Sequence, residues 1–296
     1  MKHAALEEAL TFDCAGEQLI GVLHGADTTA DTAVVVIVGG PQYRAGSHRQ
    51  FVQLGRALAA AGYPTLRFDY RGMGDSTGEA RDFEHVSDDI ASAIDALMQR
   101  MPQVRQVVLW GLCDGASAAL LYCGEHTDPR IAGLCLVNPW VRSEATLART
   151  HVKHYYAQRL LQPEFWKKLL RGQVGTQAVR GLARNAILAR QAPATSRAYP
   201  ERMASAWRGF AGALHLVLSE NDYTAKEFLQ YVTHSPAWHG ALEQVRVRRT
   251  DVPGADHTFS NIPGVSLPTL TTEWLTGLRD NSRRAPTTTR VHERLR

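Results

Sequence analysis

Apolar positions along the chain come in two patterns. Ala33-Val34-Val35-Val36-Ile37-Val38, Val107-Val108-Leu109-Trp110, Ile131-Ala132-Gly133-Leu134-Cys135-Leu136-Val137 and Ala213-Leu214-His215-Leu216-Val217-Leu218 are nearly unbroken apolar runs. Such runs predict strands covered on both faces. Thr65-Leu66-Arg67-Phe68 is a shorter strand of the same kind. Between them apolar residues return every three or four positions. Phe51, Leu54 and Leu58 predict a helix over 49–60 closed by Gly62, and Val86, Ile90, Ile94 and Leu97 predict another over 83–98. Loose alternation over 10–24, broken at Gly16-Glu17, predicts an N-terminal hairpin. Buried-type strands alternating with helices predict an α/β fold: a mostly parallel sheet with helices on both faces.

The rhythm breaks after Asn138-Pro139-Trp140. No strand signal occurs over 141–212, while Pro163 opens one helical pattern and Val179, Leu182, Ala183, Ala186 and Ile187 form a second apolar stripe. This reads as a helical lid over the sheet. After the strand at 213–218 come a helix over 225–232, a charged strand at Val245-Arg246-Val247, a turn-rich loop over 252–260 and a helix over 269–278. The expected organisation is a core over 1–139, a lid over 140–212, a second part of the core over 213–280 and a disordered basic tail over 281–296.

Charge sharpens this division. The net charge of +4 is carried by the tail, with five Arg and one Glu after Asp280. Residues 140–205 hold twelve Lys/Arg against three Asp/Glu, so the rest of the body is acidic. A neutral body with one basic segment argues against a nucleic-acid binder and points to an anionic partner, with a solvated basic face as the plain alternative. No apolar run reaches the roughly 20 residues that cross a bilayer. Glu7-Glu8 interrupts the N-terminal stretch and argues against a signal peptide. The four cysteines (Cys14, Cys113, Cys123, Cys135) show neither C-x-x-C nor metal spacing. Reduced thiols in a cytoplasmic protein without metal or cofactor is the expectation.

The chemistry concentrates at Gly111-Leu112-Cys113-Asp114-Gly115, between an apolar strand and the helix former Ala116-Ser117-Ala118-Ala119-Leu120. A glycine-flanked residue in a strand-to-helix turn is a nucleophile elbow, here with cysteine at its centre. The turn aims the Asp114 N–H and the helix N-terminus at the sulfur, favouring thiolate and a developing oxyanion. By itself the pentapeptide reads more readily as a buried structural cysteine. A thiol nucleophile needs a base and a group that orients the base. Asp222 follows the 213–218 strand and His257 lies in the loop after the next, in the order nucleophile, acid, histidine. Asp256 and Glu220 are the rival acids. The second oxyanion donor is expected after the Val34–Val38 strand: Pro41 has no N–H, so Gln42 is the first choice and Gly40 the second. Tyr43, Arg44, His48 and Arg49 follow and are candidates to line the pocket, or else to cap and solvate the next helix.

With these residues the chain resembles the α/β-hydrolase superfamily over nearly its whole length. Asp69-Tyr70-Arg71-Gly72-Met73-Gly74-Asp75-Ser76 is similar to the loop after the fourth strand of that fold. More narrowly, Gly39-Gly40-Pro41-Gln42-Tyr43-Arg44, Gly46-Ser47-His48-Arg49-Gln50-Phe51 and Gly111-Leu112-Cys113-Asp114 resemble the exosortase A system-associated hydrolases of the first type. His154-Tyr155-Tyr156 and Pro163-Glu164-Phe165-Trp166 are similar to that group too. The resemblance implies a cytoplasmic enzyme tied to bacterial exopolysaccharide production, with Cys113, Asp222 and His257 catalytic. Trp140, His154 and Tyr155 join Tyr43, Arg44 and His48 as substrate-binding candidates. Dienelactone hydrolase has a similar triad, but the larger, more basic lid here argues against the same substrate.

Three functions follow as expectations. The first is hydrolysis of an ester or thioester through an acyl-enzyme, the basic lid suiting an anionic or carrier-bound acyl donor. The second is acyl transfer to a sugar hydroxyl with the same residues. The third is a non-catalytic scaffold, favoured by the Asp114 carboxylate beside the thiol, which disfavours thiolate if it points inward.

Overall fold

The computed structural model describes residues 7–25, 30–40, 42–141, 198–261 and 266–284. The strands are β1 (Glu7–Cys14), β2 (Glu17–His24), β3 (Thr32–Ile37), β4 (Thr65–Phe68), β5 (Gln106–Leu112), β6 (Ile131–Val137), β7 (Ala213–Ser219) and β8 (Val247–Val252). They form one sheet in the order β1-β2-β4-β3-β5-β6-β7-β8. The β1–β2 and β2–β4 pairs are antiparallel and every later pair is parallel. This is the α/β-hydrolase fold that the resemblance implies, with the mostly parallel sheet that the buried strands predict.

Between the strands run α1 (Gln50–Ala60), α2 (Ser87–Arg100), α3 (Asp114–Glu125), α4 (Tyr199–Gly209), α5 (Tyr223–His234) and α6 (Leu267–Arg284). The reason the central strands carry no polar alternation is visible in their burial: Val34 to Val38 and Val107 to Leu109 have no exposed surface. Phe51, Leu54 and Leu58 of α1 are buried, as are Ile90, Ile94 and Leu97 of α2. Each helix thus lays its apolar stripe on the sheet.

Three expected elements differ in extent. The helix expected over 83–98 begins as a separate 3-10 turn, Phe83–His85, because Asp82 accepts the Glu84 N–H at 3.0 Å and caps it before α2 starts. The last strand lies at 247–252 rather than 245–247. Val245 is fully exposed, and the edge strand shows solvent Arg248, Arg249 and Asp251, so charge hid it from a search for apolar runs. The final helix continues to Arg284, four residues into the stretch expected as a tail.

Most of the expected lid lies outside the described residues. Its last part, α4, packs into the body: Met203 and Trp207 are fully buried. The Trp207 ring meets Trp238 edge-on at 5.4 Å, and its Nε1–H donates to Ala241 O at 2.8 Å. Such aromatic pairs add about 0.5–1.5 kcal/mol beyond area burial. No helix among the described residues is long and apolar enough to cross a membrane.

The loops that follow β3, β5, β7 and β8 all leave the carboxyl edge of the parallel strands, where ligands bind in open α/β sheets.

Candidate active site

Cys113 joins β5 to α3 with φ 61° and ψ −128°, a conformation that side chains rarely adopt. Its N–H donates to Val137 O at 2.9 Å, and its carbonyl accepts from Trp140 N–H at 3.2 Å and Ala116 N–H at 3.0 Å. The flanking glycines are there for space. A Cβ on Gly111 would sit 2.4 Å from Gly115 O, and one on Gly115 would sit 2.4 Å from Ile37 O. The sulfur is therefore held up at the sheet edge by a turn that its neighbours cannot relax.

Asp222 and His257 come together from two loops. Asp222 caps α5, accepting the Thr224 and Ala225 N–H groups at 3.2 Å each. The same buried carboxylate meets His257 Nδ1 at 2.9 Å. The Asp222 hydrogen bond, then the Cys113 side chain, raise the imidazole from 6.5 to about 10 against the opposing effect of burial. The Asp222 carboxylate thus favours the protonated ring. Nδ1 faces Asp222, which leaves Nε2 for the reacting side.

The rival acids have other work. Asp256 accepts from the Thr258 and Ser260 N–H groups at 3.1 and 2.9 Å and shapes the turn that carries His257. Glu220 accepts the Gly254 N–H at 2.8 Å. A second cysteine–histidine pair, Cys135 Sγ and His215 Nδ1 at 3.9 Å, lies fully buried between β6 and β7. Burial pushes that thiol up to about 12 and that imidazole down to about 4, so both stay neutral. Burial likewise pushes Cys123 up to about 12. All four cysteines are free.

The oxyanion loop is more constrained than its sequence suggests. Gly40, with φ 61°, donates its N–H to Asp114 Oδ1 at 2.5 Å. A Cβ on Gly39 would lie 2.3 Å from that same oxygen. The Asp114 carboxyl is held above the usual range by desolvation, which its backbone hydrogen bonds oppose. Of the two expected second donors, Gly40 is thus engaged, while Gln42 uses its side-chain Oε1 to receive Ser47 N–H at 3.4 Å and Gln50 Nε2 at 3.2 Å.

The substrate-binding candidates divide. Tyr43 is half exposed. Arg44 is ion-paired to Asp69 and to Asp75, so its charge is already matched. His48 is exposed with φ 50°. Trp140 adjoins the elbow through the N–H bond to Cys113 O. His154 and Tyr155 lie outside the described residues.

Two supporting residues escaped the sequence reading. Asn138, with φ 44°, donates from Nδ2 to Ser219 Oγ at 2.6 Å and to His257 O at 3.3 Å, and accepts the Ser219 N–H at 2.9 Å. It ties the ends of β6 and β7 to the histidine loop. Tyr70, buried, donates its hydroxyl to Val38 O at 2.9 Å and fixes the entry to the oxyanion loop. An asparagine directly after an apolar strand, followed by proline, is the one signal that marks the first; the tyrosine has none.

Residues 29–201 match the family model described as serine aminopeptidase, S33 (Hydrolase_4). Human protein ABHD12B is 30% identical over 116 residues, 37% of this chain and 31% of that protein, so the alignment spans about a third of that relative. The esterase Pf2001 of Pyrococcus furiosus has the same fold, with TM-score 0.61 at 17% identity over 92% of this chain and 93% of that one. GrgF of Penicillium sp. sh18, an α/β-hydrolase, gives TM-score 0.61 at 17% identity over 93% and 98%. Est1E of Butyrivibrio proteoclasticus, solved with ferulic acid bound, gives 0.58 at 14% identity over 92% and 98%.

Proposed function

Because the chain belongs to the serine aminopeptidase S33 family of α/β-hydrolases, we propose that it is an ester or thioester hydrolase in which Cys113 replaces the serine of the family description. The observation that supports this most is the His257 ring, bonded to Asp222 at 2.9 Å and raised in pKa by Asp222 and then by Cys113. An imidazolium in that position would supply the opposite charge and the proton that thiol-based acyl transfer needs. The sulfur attacks the acyl carbon and the C–S bond forms. The carbonyl oxygen becomes an oxyanion facing the Asp114 N–H and the Gln42 N–H. As the bond to the leaving group breaks, His257 Nε2 delivers its proton to that group. In the second half the neutral ring takes a proton from water, hydroxide adds to the acyl carbon, and the C–S bond breaks. Asp222 keeps the ring in one tautomer and offsets its charge throughout.

The basic segment 140–205, acting as a lid, favours an anionic or carrier-bound acyl donor. The resemblance to the exosortase A system-associated hydrolases supports a cytoplasmic role in exopolysaccharide production. Metal and cofactor have no step in this scheme.

Intact mass spectrometry after incubation with short activated esters and acyl-thioesters tests it. An acyl adduct on Cys113, absent in Cys113→Ala and longer lived in His257→Ala, is the expected result. No adduct from any donor, with iodoacetamide labelling Cys113 no faster than a free thiol, would refute it. One observation favours a second reading, a non-catalytic scaffold: the Gly40 N–H is engaged by Asp114 rather than open to substrate. The same failure to acylate would support that reading.

A further inference from the structure

The end of β6 is bonded to both the nucleophile candidate and the histidine. Val137 O accepts the Cys113 N–H at 2.9 Å, and the Trp140 N–H donates to Cys113 O at 3.2 Å. Between them, Asn138 Nδ2 donates to His257 O at 3.3 Å. One short segment therefore grips the elbow residue through both of its peptide groups and also holds the backbone that carries the imidazole. Ties from the β7 loop to the backbone of the histidine loop stop short of His257. The Asn221 N–H meets Ala255 O at 2.9 Å, and Glu220 receives the Gly254 N–H at 2.8 Å.

Asparagine meets what position 138 asks. Its φ of 44° lies in the left-handed region, which glycine, asparagine and aspartate enter most readily. The residue is fully buried, so each of its polar atoms needs a partner. Its surroundings present two acceptors, His257 O and Ser219 Oγ at 2.6 Å, and one donor, the Ser219 N–H at 2.9 Å. An amide supplies two donor hydrogens and an acceptor oxygen to match them. A carboxylate of the same shape would set an oxygen against His257 O, and glycine would leave all three groups unmatched.

We propose that Asn138 is a positioning residue that sets the separation between the Cys113 thiol and the His257 imidazole; this deepens the acyl-enzyme reading above and rests on it. The histidine is fixed at two points. Asp222 holds Nδ1 at 2.9 Å and so the orientation of the ring, while Asn138 holds the backbone from which the side chain departs. In the proton exchange between the pair, the S–H bond breaks and an Nε2–H bond forms, leaving thiolate and imidazolium. Its extent depends on that separation. Misplacing reacting groups by about 1 Å costs on the order of 10²-fold in rate. The titratable groups around His257 are Asp222 from the β7 loop and Cys113 and Asp114 from the elbow. Asn138 adds no charge to this set and acts through distance alone.

Alkylation of Cys113 by iodoacetamide over a pH series reads the thiolate and needs neither acyl donor nor oxyanion hole. Asn138→Gly suits the left-handed backbone and deletes only the side chain. Its alkylation rate at about pH 6, where an ordinary thiol is almost wholly protonated, should fall about tenfold or more below wild type. Ser219→Ala removes one partner of the same amide but leaves His257 O bonded, so it should melt earlier yet keep the wild-type rate. If Asn138→Gly does not fold, the double variant Asn138→Gly/Ser219→Ala, with fewer buried polar atoms left unmatched, is compared with Ser219→Ala and should show the same drop. Wild-type alkylation in the Asn138 variant, with only its melting temperature lowered, would make the residue structural and overturn the proposal. A wild type that alkylates no faster than a free thiol would refute the acyl-enzyme reading instead. NMR titration of the His257 ring, assigned by its loss in His257→Gln, then decides for Asn138: a midpoint moved by Asn138→Gly and not by Ser219→Ala upholds the positioning, and an unmoved one overturns it.

Discussion

The backbone N–H of Gly40 points at the carboxylate of Asp114, 2.5 Å away, across the gap between the β3 loop and the nucleophile elbow. The two segments that would stabilise a developing oxyanion are therefore bonded to each other through the residue next to the nucleophile. Under the proposed mechanism Asp114 would be a positioning residue, holding the loop where Gln42 can serve. Asp114→Ala should lower kcat for p-nitrophenyl acetate on the order of 10²-fold, the scale of losing one oxyanion donor. Asp114→Asn keeps an oxygen for the Gly40 N–H and removes a negative charge beside the sulfur, so it should retain most activity. Equal kinetics in Asp114→Ala and wild type would remove this role.

The raised pKa of His257 sets a pH window for stability. Its folded value, about 10, lies above the roughly 6.5 of a free imidazole. The imidazolium–Asp222 contact thus stabilises fully below about pH 6.5 and is lost as pH rises through about 10. Melting temperatures of wild type and His257→Gln should differ most at acid to neutral pH and converge above pH 10. A gap that stays constant across that range would contradict the paired imidazolium.

Asp222→Asn keeps the shape of the helix cap but removes the charge that raises His257. The alkaline limb of kcat/KM, at which the imidazolium can no longer protonate the leaving group, should shift to lower pH. Activity at neutral pH should fall by roughly 10²–10⁴, by comparison with loss of the orienting acid in serine triads. Stopped-flow acylation over a pH series reads both effects. An unmoved limb would mean that Asp222 serves α5 alone.

Gly111→Ala tests the packing under the elbow. Its Cβ would meet the Gly115 carbonyl at 2.4 Å and Ala116 N at 2.5 Å, backbone atoms that cannot swing aside. We expect a loss of about 1–3 kcal/mol, the usual cost of overpacking, seen as a lower urea midpoint. Gly209→Ala, where a Cβ meets nothing within 4 Å, is the matched control and should not lose stability.

Much of the site was legible because an α/β sheet delivers side chains at strand ends. Cys113, Asp222 and His257 could be picked out by their places after β5, β7 and β8, without knowing any distance. The edge strand β8 was misplaced because solvent on its outer side permits Arg248, Arg249 and Asp251, which erases the apolar signature that marked the buried strands. Asn138 and Tyr70 act through contacts 81 and 32 residues away in sequence, to Ser219 and Val38, and no local pattern encodes such pairs. The Gly40–Asp114 bond, spanning 74 residues, was hidden for the same reason. The preference for Gln42 over Gly40 rests on the missing N–H of Pro41; that the Gly40 N–H is engaged by Asp114 needed the fold.

The left-handed turn at Cys113 has a consequence for evolution in the laboratory. Non-glycine residues so placed cost on the order of 1–3 kcal/mol, whereas glycine costs about 0.4–1 kcal/mol by loosening the unfolded chain. Cys113→Gly should therefore melt later than its parent and, on the proposed mechanism, lack the nucleophile. A screen that rewards thermal tolerance alone would drift toward that inert chain, so selection must read acyl chemistry and heat resistance together.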